Sequence, residues 1–248
     1  PRSTPKPSSA ASDVYKRQGY VGLVTGVGLA NLGNTVHFID LDENKIKDLS
    51  SKKITFYEPG LEEYFNNDET FKRMSFSSDY TSIEWENIDI VFVCVQTPNN
   101  IETNSVDTKF LESAITEINN VNNNDLVITV KSTIPPYEIE KVCEKVGMDS
   151  SKLTFNPEFL REGTAVEDFF NPDRIVLGGA DKEKLNKLIE LYSEFECEII
   201  TTDSISSQLI KYLANTYLPL RLSFVNEAAR LIDYSGGNLD DVLKGCLL

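Results

Sequence analysis

Residues 88–95 read Ile-Asp-Ile-Val-Phe-Val-Cys-Val, an almost unbroken apolar run. A strand covered on both faces has this signature, and such strands belong to parallel sheets enclosed between helices. That segment sets the class of fold the rest of the chain must supply. Similar apolar runs stand at 36–40, 126–130, 153–155, 174–178 and 197–201, with helical periodicity at 19–32, 43–49, 107–118, 136–146 and 181–194. Strand alternating with helix predicts an α/β fold, a doubly wound parallel sheet of Rossmann type. Right-handed crossovers then bring the strand carboxyl ends, and any ligand, to one edge.

Beyond the sheet the period changes. From Ser204 to about Tyr234 a stripe of Ile205, Leu209, Tyr212, Leu213, Thr216, Tyr217, Leu220, Phe224, Ala228 and Leu231 predicts one long helix. At ~1.5 Å per residue it reaches about 45 Å, longer than one domain needs, so it is expected to join two domains or pack against a twin. Pro219 lies inside it and is expected to kink it at Asn215. Residues 1–18 (PRSTPKPSSAASDVYKRQ) have no apolar core of the kind a secretory signal needs, and are expected to form no buried strand. The expected organisation is a leader foreign to the fold (1–18), a Rossmann-type domain (19–202), and a long central helix opening a linker or dimerisation region (203–248).

A net charge of −15 argues against nucleic acid as a partner, because phosphate neutralisation needs a basic face. It leaves room for a small phosphate-bearing ligand held at a helix N-terminus. The four cysteines form no CxxC pair; Cys94 and Cys197, in predicted strands, are expected to be buried free thiols of a cytoplasmic protein, and Cys246 a packing residue. His37 is the single histidine, so no His-based metal site or triad is expected. No run of 18 apolar residues is present to span a membrane.

The chemistry-bearing residues fall at the expected strand ends. Gly19-x-x-Gly22 matches the last two glycines of a dinucleotide fingerprint, and Asp40 lies where an acid would accept hydrogen bonds from an adenosine ribose. The first glycine is replaced by Arg17, and a plain helix start with close glycine packing reads the same way. Asp40 with Asp42 and no nearby arginine favours NAD over NADP, since a 2′-phosphate would meet like charge. Gln96-Thr97-Pro98 and Lys131-Ser132-Thr133-Ile134-Pro135 follow central strands; their hydroxyls can bond a cofactor or water, or simply build turns. The octet NPEFLREG at 156–163 carries two carboxylates. If it turns helical after Pro157, Glu158 and Glu162 share one face, ~6 Å apart at Cβ, as in a polar active site. The alternative is a solvated acidic turn with Arg161 as counter-ion. Lys211 and Asn215, four apart on the long helix, can stabilise a developing alkoxide, or Lys211 can snorkel to solvent.

Taken in order, GYVGL, the Asp40 strand end, YEPGLEE, VCVQTP, KSTIP, NPEFLREGTAVEDFFNPDRIVLGG and LIKYLANTYLPLRLSFVNEAARL resemble the UDP-glucose 6-dehydrogenase family from Gly19 to Leu248. The resemblance implies oxidation of a nucleotide-sugar C6 alcohol to a carboxylate with two NAD in succession, the aldehyde level held on a cysteine as a thiohemiacetal and then a thioester. It implies cofactor contacts from Gly19, Val21, Gly22, Asp40, Lys45, Thr97, Thr133 and Glu162. Glu158, Phe159, Leu160, Arg161, Glu162, Lys211 and Asn215 would line the sugar of UDP-glucose. Lys211 and Asn215 would hold the oxyanion, Thr133 would position a water, and Glu162 would act as base. A homodimer through the central helix is expected. The family's nucleophilic cysteine segment and its C-terminal nucleotide-sugar domain have no counterpart here, so the 248-residue chain alone is expected to be a catalytically inactive fragment. A GDP-mannose or UDP-N-acetylhexosamine dehydrogenase, a two-electron 3-hydroxyacid or 6-phosphogluconate dehydrogenase, and a non-catalytic NAD-binding or dimerisation module are the rival readings.

Overall fold

The computed structural model describes residues 11–14, 19–100, 105–121 and 125–246, without the side chains at 11–14, 19, 99 and 100. In chain order the strands are β1 (Ala11–Val14), β2 (Val36–Ile39), β3 (Met74–Ser77), β4 (Ile90–Val93), β5 (Asn99–Asn100), β6 (Ser105–Val106), β7 (Val127–Val130), β8 (Leu153–Phe155), β9 (Arg174–Gly179) and β10 (Glu198–Thr202). The helices are α1 (Gly19–Asn31), α2 (Glu43–Ser50), α3 (Leu61–Asn66), α4 (Asp68–Phe71), α5 (Lys109–Asn119), α6 (Pro136–Val146), α7 (Ala165–Phe170), α8 (Lys182–Leu191), α9 (Ser204–Ser235) and α10 (Leu239–Gly245). β5 and β6 make a small antiparallel ladder; the other eight strands form one sheet in the order β10-β9-β8-β7-β4-β1-β2-β3.

The apolar run at 88–95 becomes β4, buried at every position. Its side chains alternate: Ile90 and Phe92 join the apolar layer of α1, α3, α7 and α8, while Val91 and Val93 join that of α5 and α6. Local chemistry sets the helix limits. Asp42 caps α2 by accepting from the Asn44 and Lys45 amides, Asp181 does the same for α8, and Pro136 opens α6 while left-handed Gly147 closes it.

The sheet departs from expectation in two places. The 1–18 leader contributes a strand after all: β1 pairs in parallel with both β2 and β4. Its polar residues gave no signal, but pairing uses backbone groups that every residue except proline offers, and a slot between two strands supplies partners on both sides. Arg17, where a first glycine was expected, lies outside the described residues. The second departure is β9, which runs antiparallel to β8, with Phe155 opposite Gly178. The other ladders of the sheet are parallel among the described residues.

Two compact units divide the chain, Pro1–Gln208 and Leu209–Leu248. In the second, α9 continues unbroken through Pro219. Its stripe is largely uncovered: Leu213, Tyr217, Leu220, Phe224 and Leu231 are all more than half exposed. Cys246 is exposed at the end of α10, not packed, because the helix that carries it presents no buried face. Cys94 is buried and Cys197 half-buried, each just outside its strand. No helix among the described residues is long and apolar enough to cross a membrane, and no group of three or more His, Cys, Asp or Glu is placed to hold a metal.

Candidate active site

The parallel strands β1, β2, β4, β7 and β8 end on one edge, where the loops enclose two cavities of about 760 and 400 Å³. The larger is bordered by Tyr20, Asp40, Lys45, Glu58 and Glu162; the smaller by Val21, Thr97, Lys131, Thr133 and Glu158. Gln96 borders both.

Asp40 is almost fully buried where β2 stops. Its Oδ1 accepts from the Asp42 amide at 3.0 Å, and its Oδ2 pairs with the Lys45 ammonium. A carboxylate offers about four lone-pair sites, so acceptor capacity remains beyond these two bonds. Asp42, read from sequence as a second repelling charge, serves as the α2 cap. Gly19 and Gly22 lie in the first turn of α1.

The loops after β4 and β7 are laced together. Thr97 Oγ1 donates to the Thr133 carbonyl at 2.7 Å, and Ser132 Oγ donates to the Val95 carbonyl at 2.6 Å while accepting from the Val95 amide at 2.9 Å. Thr97 thus builds the turn while it borders the cavity.

The octet at 156–163 is not helical, so Glu158 and Glu162 do not share a helix face; helix begins only at Ala165. Three anchors hold it open. Asn156 is buried: Oδ1 accepts from Lys131 Nζ at 2.8 Å and from the Tyr192 hydroxyl at 2.7 Å, and Nδ2 donates to the Val176 carbonyl at 3.0 Å. Glu158 Oε2 accepts from the Leu160 amide at 2.7 Å. Gly163 takes a φ of +90°, a conformation that favours glycine. Glu158 consequently borders the smaller cavity and Glu162 the larger. Within the octet, Leu160 packs on the core, and the Phe159 ring lies 4.2 Å beneath the Arg174 guanidinium.

Arg161 is exposed and grips Asp168, with Nη2 at 2.6 Å and Nε at 3.1 Å from its carboxylate oxygens. That hydrogen bond chiefly holds the Asp168 carboxyl below the ordinary aspartate value, against the opposing effect of partial burial. A depressed folded-state value contributes stability above the unfolded value of about 3.9, lost as the pH falls through the folded one. Urea midpoints of wild type and Asp168→Asn are therefore expected to differ at pH 7 and to converge as the pH falls through the depressed folded-state value. A constant gap across that range would remove the pair from the acid response.

Two residues that border the site escaped the sequence reading. Glu58 is buried and accepts from Tyr20 Oη at 2.8 Å, the Gly163 amide at 2.9 Å and the Ala165 amide at 2.7 Å. Burial, then the bond to Glu58, pushes the Tyr20 hydroxyl far above its usual value, so it stays a donor. Lys131, also buried, lines the smaller cavity along with Glu158 and Thr133. The only trace either left was its place inside YEPGLEE and KSTIP. Lys211, buried, and Asn215, exposed, stand about one turn apart on α9 within the second unit.

Comparison with known proteins gives this geometry a family setting. The model of the UDP-glucose/GDP-mannose dehydrogenase family, NAD binding domain, matches residues 17–196. UDP-glucose 6-dehydrogenase of Rickettsia felis is 38% identical over 232 residues, covering 92% of this chain and 51% of that protein. The structure of a UDP-glucose dehydrogenase from the hyperthermophilic archaeon Pyrobaculum islandicum superimposes with a TM-score of 0.85 at 32% identity, over 99% of this chain and 58% of that one. A ternary complex of GDP-mannose dehydrogenase from Pseudomonas aeruginosa gives 0.83 at 27% identity, over 94% and 55%. The chain thus spans about half the length of the curated relatives it matches.

Proposed function

The chain belongs to the UDP-glucose/GDP-mannose dehydrogenase family, and from that premise we propose that it supplies the NAD-binding half, and part of the sugar site, of an enzyme oxidising UDP-glucose to UDP-glucuronate. The observation that carries the reading is the shared border of Asp40, Lys45 and Glu162 on one cavity, with Thr133 and Glu158 on the adjoining one. Asp40 fits a ribose, since a buried carboxylate with lone pairs to spare gains from two hydroxyl donors. The amides of the first turn of α1, opened by Gly19 and Gly22, suit a pyrophosphate. Bound there, NAD supplies the acceptor for the hydride leaving the sugar C6.

The chain's own residues do the rest in this reading. Val21, Lys45, Thr97 and Thr133 complete the cofactor contacts. The octet from Glu158 to Glu162 borders the sugar. Thr133 holds a water and Glu162 takes the proton; in the second unit, Lys211 and Asn215 are the groups whose chemistry suits an oxygen gaining negative charge. UDP-glucose is preferred to GDP-mannose or a UDP-N-acetylhexosamine because relatives such as those of Rickettsia felis and Bacillus subtilis, 38% and 35% identical, are named UDP-glucose 6-dehydrogenases. The uncovered stripe of α9 suits a second copy of the chain, giving a homodimer.

Saturation-transfer NMR tests the reading on the chain itself. With NAD present, the glucose protons of UDP-glucose are expected to receive more magnetisation than the mannose protons of GDP-mannose. Sedimentation velocity on the same sample is expected to give a dimer that Leu213→Glu and Leu220→Glu dissociate. Equal transfer to both sugars, or none to either, would overturn the substrate assignment; a monomer throughout would overturn the dimer.

A further inference from the structure

Glu58 and Tyr20 are given no cofactor or sugar contact in the reading above, yet the parts of the larger cavity meet on them. Tyr20 follows Gly19 in the first turn of α1. Glu58 sits in the loop between α2 and α3, followed by Gly60 at a φ of +79°. A Cβ at Gly60 would lie 3.7 Å from Val166, so this loop runs close against α7. The two oxygens of Glu58 take the amides of Gly163 and Ala165. Thr164, the residue before α7, makes no capping bond with its own side chain. A carboxylate from 107 residues upstream does that work instead. The Tyr20 hydroxyl donates to Glu58 and leans on the Arg161 carbonyl at 3.2 Å. The Gly163 and Ala165 amides on one side of Glu162 therefore end on Glu58, and the Arg161 carbonyl on the other side accepts from Tyr20, while the Arg161 amide and guanidinium bond Asp168.

We propose that Glu58, with Tyr20, is a positioning residue that fixes the Glu162 turn against the first turn of α1, so that a nucleotide bound at α1 also orders the acidic octet. This deepens the NAD-site reading and rests on it. A glutamine at 58 would turn an NH₂ toward one of the two backbone amides and lose one bond while keeping the volume. Phenylalanine at 20 would lose only the hydroxyl.

Amide exchange and NAD calorimetry on the 248-residue chain test it together. Glu58→Gln is expected to speed exchange at residues 161–165 about tenfold, leave β4 and β7 unchanged, and raise the NAD dissociation constant about tenfold. In wild type NAD is expected to add protection to residues 161–165; in the variant it is expected not to. Tyr20→Phe should give a smaller version, and the double variant less than the sum, because the two share one hydrogen bond. A purely structural cap would lower the melting temperature while leaving the NAD-induced protection and the additivity intact, and that result would overturn the proposal. Should Glu58→Gln fail to fold, Tyr20→Phe decides by the same two readouts. Failure of the wild-type chain to bind NAD would sink the NAD-site reading, and with it the coupling, whereas normal NAD binding with unchanged exchange in the variants would sink the coupling alone.

Discussion

Replacing Asp40 by alanine is expected to raise the NAD dissociation constant about a hundredfold, the largest effect on binding of any single change at this site. In the proposed function the bonds at stake run from ribose hydroxyls to a buried carboxylate, and hydrogen bonds to charged groups contribute about 1.5–3 kcal/mol each. Two of them amount to roughly 3 kcal/mol at the low end, and a tenfold change in affinity corresponds to about 1.4 kcal/mol. The same substitution leaves Lys45, now paired with Asp40, without that partner. A 2′-phosphate would then meet an ammonium instead of a carboxylate, so the preference for NAD over NADP should fall or reverse. Calorimetric titration with both nucleotides reads both numbers. An unchanged NAD affinity would place the adenosine ribose somewhere other than the end of β2.

Gly28→Ala is expected to destabilise the fold by about 3 kcal/mol, although glycine to alanine inside a helix ordinarily stabilises it. A Cβ at Gly28 would lie 2.1 to 2.6 Å from three carbons of the Phe169 ring. That ring has nowhere to go: Phe170 and Phe195 pack edge-on to it at 5.2 and 5.5 Å, and it is nearly buried. At 2–4 °C per kcal/mol for a chain of this size, the melting temperature should drop by about 6–12 °C. Phe169→Leu in the same chain should recover part of the loss, and the cycle of the two measures the contact. A melting temperature equal to or above that of wild type would mean that α1 and α7 do not touch at this point.

Much of this architecture was written in local pattern. The nearly unbroken apolar run gave β4, the helical periodicity at 136–146 gave α6, and the period from Ser204 onward gave α9 nearly to the residue. What escaped was set by distant partners. β1 has no apolar signature, and its place is defined by backbone bonds to β2 and β4. The octet at 156–163 scans as a helix start; it stays open because Asn156 is tied to Lys131, Tyr192 and Val176, and Gly163 to Glu58. No window of neighbouring residues contains those contacts. The Arg161 counter-ion was foreseen in kind but not in partner, since Asp168 lies on the following helix. The residue types lining the cavities were therefore legible, while the division of Glu158 and Glu162 between separate cavities was not.

Because β9 turns back against β8, residues 156–173 leave the sheet and rejoin it at the same edge. Such an excursion can be exchanged as a cassette. Transplanting it between dehydrogenases of different nucleotide sugars would leave every strand in its register, on condition that the tyrosine and glutamate clasping it from the other half of the domain move with it.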